Sequence, residues 1–370
     1  MGMTSRQRME TALDFREPDR VPIEIALTDT VRTYHGARHL IDLVDTYSDN
    51  FKGIRGFDWG FFGIDCPTER SELASAKGRT RALIRQLTDN GEFTGILESD
   101  ILNPSYQHWE RYYISTADEL ERLADSNFSE IAVSENYLED LEDKCGDRWV
   151  PVIGIPHPFG HLARMSPPTE FYVWLTTHRS TLHQLFEKQY DRLEELIHTL
   201  KAPHTFYVVA YEMAVPPWLS REMFNDFIRP YDTRLNKAIH RYGGKVRHHV
   251  HGCVGDFLDL WADMGMDSIE PLERPPFGDS DIGLVKKKLG KRMSIAGNMP
   301  SQMFINMNLL QIEDMVRETI DTAAAGGGFL LRCASHVAGL NSFKTTEQLH
   351  RMVAAVECFV ESGLKYGWYY

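Results

Sequence analysis

The residues of this chain best suited to chemistry crowd into His248-His249-Val250-His251-Gly252-Cys253. They follow Gly243-Gly244-Lys245-Val246-Arg247, which reads as a loop entering a strand. Side chains alternate faces along a strand, so His249 and His251 share one face, joined by Cys253 if the strand runs that far. Imidazole and thiolate are the donors that zinc and its neighbours prefer, so this strand end is a candidate metal site or polar catalytic floor. The plainer alternative is a histidine-rich strand end that hydrogen-bonds locally, because H-x-H pairs arise by chance.

The elements that must position these residues alternate. Helical spacing over Ser5–Leu13 puts Met9, Ala12 and Leu13 on one face before Pro18 and Pro22 break it. Val21–Ala26 reads as a first strand. From about residue 30 to 145 the pattern is irregular, with short helices and strand-like pieces at Phe57–Ile64, Phe93–Leu97 and Glu110–Ile114, and is expected to be an insertion or cap. Thr116 with Glu119 has the form of a capping box. From about 146 to 370 the rhythm is regular. Strands are expected at Trp149–Ile155, Phe206–Ala210, Lys245–Val250, Ser268–Glu270, Arg292–Ala296 and Phe329–Leu331. Helices are expected over Ser180–Leu200, Ser220–His240, Phe257–Met264, Ile282–Leu289, Leu310–Ala325 and Thr345–Ser362. Strands alternating with helices of this length, without a G-x-G-x-x-G turn, predict one α/β domain over 1–370, a (β/α)8 TIM barrel with an N-terminal insertion.

Barrel enzymes carry their active sites at strand C-termini. Here those ends supply Tyr211-Glu212, His249-Val250-His251, Glu270 to Glu273, Gly297-Asn298 and Arg332-Cys333. Glu212 is a candidate general base or substrate anchor, against a solvated rim carboxylate. Trp218 and Phe277 are candidates to line an apolar pocket, against plain loop packing. Asn298 is placed to orient substrate, although turns also favour Asn. Arg332 would lower the thiol pKa of Cys333 or pair with an anionic substrate. Asp279 is expected only to cap the helix starting near Ile282, and the run Lys286-Lys287-Lys288 to be solvated. His157 and His161 flank another strand-end loop and are weaker pocket candidates.

A net charge of −13 argues against a nucleic-acid surface, which needs clustered Lys and Arg. No run of 18 apolar residues is present, so no membrane helix is expected. The opening residues lack the apolar segment of a secretory leader, and the five scattered cysteines include no C-x-x-C, as in a reducing cytoplasm.

Several stretches together resemble the uroporphyrinogen decarboxylase superfamily. They are Thr4–Arg8 with Arg16-Glu17-Pro18-Asp19-Arg20-Val21-Pro22, Gly243–Val246 leading to His249-Val250-His251-Gly252, Met264–Ile269, Glu273-Arg274-Pro275-Pro276-Phe277-Gly278-Asp279, and Gly326-Gly327-Gly328-Phe329-Leu330-Leu331. The resemblance implies a TIM barrel and two alternative chemistries. The decarboxylases carry an Arg-Gln-Ala-Gly-Arg segment for substrate carboxylates, matched poorly here by Thr30-Val31-Arg32-Thr33-Tyr34. The other branch resembles zinc-dependent methyltransferases that work with corrinoid proteins or other methyl carriers, using His-x-Cys and a later Cys. That resemblance implies zinc held by His249, by His251 or Cys253, and by Cys333, with Glu273 as a further carboxylate. His251-Gly252-Cys253 gives His-x-Cys literally, whereas a Gly directly after the second ligand selects His249 and His251. Methyl transfer between a small methylated substrate and a corrinoid or thiol acceptor is the expected activity, with cofactor-free decarboxylation as the alternative. The corrinoid is expected on a separate protein, and the aromatic tail Trp368-Tyr369-Tyr370 is expected to pack on the barrel or in a homodimer.

Overall fold

A computed structural model describes residues 2–27, 29–101, 107–210, 214–334 and 345–369. Eight parallel strands form a nearly closed barrel: β1 (Ile23–Glu24), β2 (Asn50–Lys52), β3 (Trp149–Ile155), β4 (Phe206–Ala210), β5 (Lys245–Val250), β6 (Ser268–Pro271), β7 (Ser294–Met299) and β8 (Phe329–Cys333). Their order is β1-β8-β7-β6-β5-β4-β3-β2, the (β/α)8 arrangement expected from the rhythm of strands and helices. No ladder joins β1 to β2. Hydrogen bonds close that seam: Asp49 N donates to Ile23 O at 2.8 Å, Ile23 N donates to Asp49 Oδ2 at 3.0 Å, and Asn50 Nδ2 donates to Ile25 O at 3.0 Å.

The helix Ser5–Leu13 plugs the N-terminal end of the barrel. Its Met9 and Leu13 pack against Val150, Phe206, Ala296 and Leu330. The helix Arg179–Leu200 buries Leu182, Leu185, Phe186, Tyr190, Leu193, Leu196, Ile197 and Leu200. That three- and four-residue spacing makes one apolar stripe, each large side chain stabilising the packing by about 1.5–3 kcal/mol. The predicted helix Ser220–His240 is two helices, Arg221–Phe227 and Arg229–Arg241, with the break at Ile228. Pro230 has no amide to continue the first helix and suits the first turn of the second.

Between β2 and β3 the chain builds a four-stranded antiparallel sheet from Thr68–Leu73, Arg79–Thr88, Gly91–Asp100 and Gln107–Arg111. Its central hairpin turns at Asp89-Asn90, with Thr88 opposite Gly91. Residues of the sheet share a cavity with Phe57 after β2 and His161 after β3, which places the sheet on the side of the strand C-termini. Among the described residues, no helix is long and apolar enough to cross a membrane.

Candidate functional site

The inner face of the barrel carries a buried ionic network. Arg247 on β5 donates from Nη2 to Glu24 Oε2 on β1 at 2.6 Å, and its Nε lies 3.7 Å from Glu270 Oε1 on β6. Arg332 on β8 pairs with Glu24 and, at 2.7 Å, with Glu270 Oε2. The Arg247 guanidinium also lies 4.3 Å from the centre of the Phe51 ring on β2. Two carboxylates thus neutralise two guanidiniums, the arrangement buried charges require. Burial alone would raise the pKa of Glu270, but Arg332 and Arg247 overcome it and hold the carboxyl well below its usual range.

His249 stands on this network. Its Nδ1 is 3.0 Å from Glu270 Oε1, and its side chain is a quarter exposed. His251 lies just past the strand end with Nδ1 3.3 Å from Glu273 Oε1, its ring centre 4.8 Å from that of His249. Glu273 also accepts from Gly252 N at 2.9 Å. Burial works against ionisation of Glu273, yet the bonds from His251 and Gly252 hold its pKa below the ordinary value. Each imidazole therefore has a carboxylate at Nδ1, which orients the ring.

The shared face ends with His251. The strand stops at Val250, and Gly252, at φ +91°, turns the chain in a region that favours glycine. Cys253 falls beyond that turn. Burial, then Asp279, Asp256 and Glu273, raise its thiol pKa. Cys333 is buried at the end of β8, where burial pushes the thiol up against a smaller lowering by Arg332. Among the described residues, no three His, Cys, Asp or Glu side chains are placed to hold a metal ion together. The geometry brings two histidine rings together, and among the described residues no third candidate ligand joins them.

The remaining candidates separate. Asn298 is buried and accepts from Arg274 Nη2 at 2.8 Å while donating to Ser280 O at 3.3 Å, so it ties down the loop after β6. Trp218 is exposed and stacks on Tyr172, and Phe277 is exposed. Tyr211 and Glu212 lie outside the described residues. Asp279 does not cap the helix Ile282–Leu289. Asp281 does, accepting from Leu284 N at 2.9 Å. Asp279 instead accepts from Val254 N and Gly255 N, anchoring the loop after β5. Lys286 is half-buried, donates to Gly327 O and is lowered to about 8 by that burial, which corrects the solvated reading for that lysine, while Lys287 and Lys288 are exposed as expected.

Glu24, Phe51 and Arg247 were not among the expected site residues. The signals were a lone acid between isoleucines on β1 and an arginine two positions before His249, on the same strand face. A cavity of about 720 Å³ opens along the β1–β2 seam, reaching Glu24, Arg332 and Cys333. Of its outer cations, Arg32 is paired with Asp45, and Arg148 donates to Asp45 O and Thr46 O.

The family model described as Uroporphyrinogen decarboxylase (URO-D) matches residues 108–358, more than half of the chain. No curated protein matches the sequence. Among solved structures, a methyltransferase from Methanosarcina mazei aligns at TM-score 0.57 and 14% identity, over 96% of this chain and 99% of that one. A Bacteroidetes-affiliated GH5 cellulase aligns at TM-score 0.38 and 8% identity, over 65% of this chain and 77% of the other, too distant to bear on the argument. The chain belongs to the uroporphyrinogen decarboxylase family and folds as its own sequence predicts, into a (β/α)8 barrel.

Proposed function

We propose that the chain is a methyltransferase, moving a methyl group between a small methylated substrate and a thiol or a corrinoid carried by a separate protein. The observation that carries this reading is the His249–His251 pair, each ring oriented by a carboxylate at Nδ1. His249 would hold a zinc ion together with His251 or Cys253 and with Cys333, Glu273 being a further carboxylate. Bound zinc would keep a coordinated thiol ionised near neutral pH, supplying a nucleophile for methyl groups. The barrel's own residues prepare that site. Arg247 and Arg332 keep Glu270 ionised, and Glu270 and Glu273 fix the two imidazoles. The Methanosarcina mazei methyltransferase shares the fold, which is compatible with this reading.

Cofactor-free decarboxylation is the less favoured alternative. It needs arginines open to substrate carboxylates, whereas Arg247 and Arg332 are committed to Glu24 and Glu270.

Metal content of the purified protein tests the proposal. About one zinc per chain is expected, lost in His249→Ala and His251→Ala. Its loss in Cys333→Ala, but not in Cys253→Ser, identifies the third ligand. A wild-type protein free of metal after growth in zinc-replete medium overturns the zinc reading.

A further inference from the structure

The antiparallel sheet and the loop after β2 enclose a second cavity that the histidine pair does not use. It measures about 700 Å³, within the range of small-molecule sites, and lies where β2 and β3 deliver their C-terminal loops. Phe57, Trp59, Phe61, Phe62, Trp109 and Tyr113 line it. Asp58 and Asp65 are its charged residues, and no Lys or Arg is among its described lining residues. Neither aspartate has an ion-pair partner among the described residues, although Asp58 Oδ1 accepts from Gly60 N at 3.0 Å. The adjoining hollow, which Asp58 and Asp65 also line, holds Arg192, whose Nε donates to Ser129 O at 2.5 Å.

The loop is held in shape. Phe61 and Ile64 exchange backbone bonds at 3.1 and 2.8 Å, and Phe62 sits at φ +49°, a left-handed conformation costly for a bulky side chain. Strain of that kind collects at ligand clamps. The Phe62 ring stacks on His161 with centres 4.4 Å apart. Burial lowers His161 to about 4, so its ring is neutral at physiological pH and brings no opposing charge. Aromatic faces carry negative electrostatic potential, and two unpaired carboxylates add to it. An anion is repelled from such a cavity, and an organic cation is attracted.

We infer that this cleft binds a methylated ammonium ion, its charged head among the aromatic rings and within the field of Asp58 and Asp65.

Calorimetric titration with choline and with its uncharged carbon isostere tests the site directly. Choline should bind about tenfold more tightly than the isostere. Asp58→Asn with Asp65→Asn, both at exposed positions, should weaken choline about tenfold, and added salt should weaken it further. Trp109→Leu should weaken it as well, provided its circular dichroism matches the wild type. Equal affinities for choline and the isostere, no binding of choline, or an unchanged affinity in the double variant would overturn the assignment. His249→Ala should bind choline as the wild type does, so loss of the zinc reading and loss of this one are told apart.

Discussion

Glu270 touches both arginines of the barrel interior and the ring of His249, so its charge is the keystone of the network. Glu270→Gln should cost about 3–5 kcal/mol in urea unfolding, because two buried guanidiniums lose a counter-charge. The pH dependence has a fixed sign. A carboxyl held below its ordinary 4.5 contributes stability that is complete above that value and is lost as pH falls below it. Gln at this position should flatten the acid limb of the stability profile. His161 acts in a neighbouring window. Its pKa is depressed from 6.5 to about 4, so the fold should weaken as pH falls between those values, and His161→Phe should remove that part of the decline. The sequence announced His249 and His251 because paired histidines are conspicuous. It left Glu24 and Arg247 unmarked because a single charged residue in a strand looks like a solvent-facing one until the opposite wall of the barrel is known.

Local capping was readable because it depends on residues three apart. Thr116 and Glu119 form the expected box, Ser220 accepts from Met223 N, and Thr345 accepts from Gln348 N. Thr116→Ala should cost about 1 kcal/mol by thermal unfolding. Asp279 was misread for the same reason. Its partners Val254 and Gly255 are distant in sequence, and the nearer Asp281 already serves the helix. Asp279→Ala should therefore speed hydrogen exchange at the Val254 and Gly255 amides while leaving the helix Ile282–Leu289 protected. The antiparallel sheet hid within an irregular stretch, although Asp89-Asn90-Gly91, with Gly91 at φ +106°, has the composition of a short hairpin turn between two runs of strand-forming residues. Its outer strand Thr68–Leu73 is mostly exposed, so it lacks the alternation that would have revealed it.

At the scale of the molecule, the barrel rhythm was legible because most of the later strands are apolar runs followed by amphipathic helices, and the closure was not. The seam depends on Asp49, fully buried, which accepts from Arg8 at 2.8 Å, from Arg20 at 2.7 Å and from Ile23 N at 3.0 Å. Asp49→Ala should lower unfolding stability by about 3–5 kcal/mol, since Arg8 and Arg20 are left buried without it. The other flank of β1 is a matter of timing. Glu24 meets Arg247 across 223 residues of chain and Arg332 across 308. On a ribosome adding roughly 5–20 residues each second, the first strand then waits on the order of tens of seconds for its last neighbour. Throughout that interval its edge and its acid stand unmatched, open to proteases and to chaperones. Nascent chains arrested before β8 emerges should be cleaved near Glu24 far faster than chains released whole.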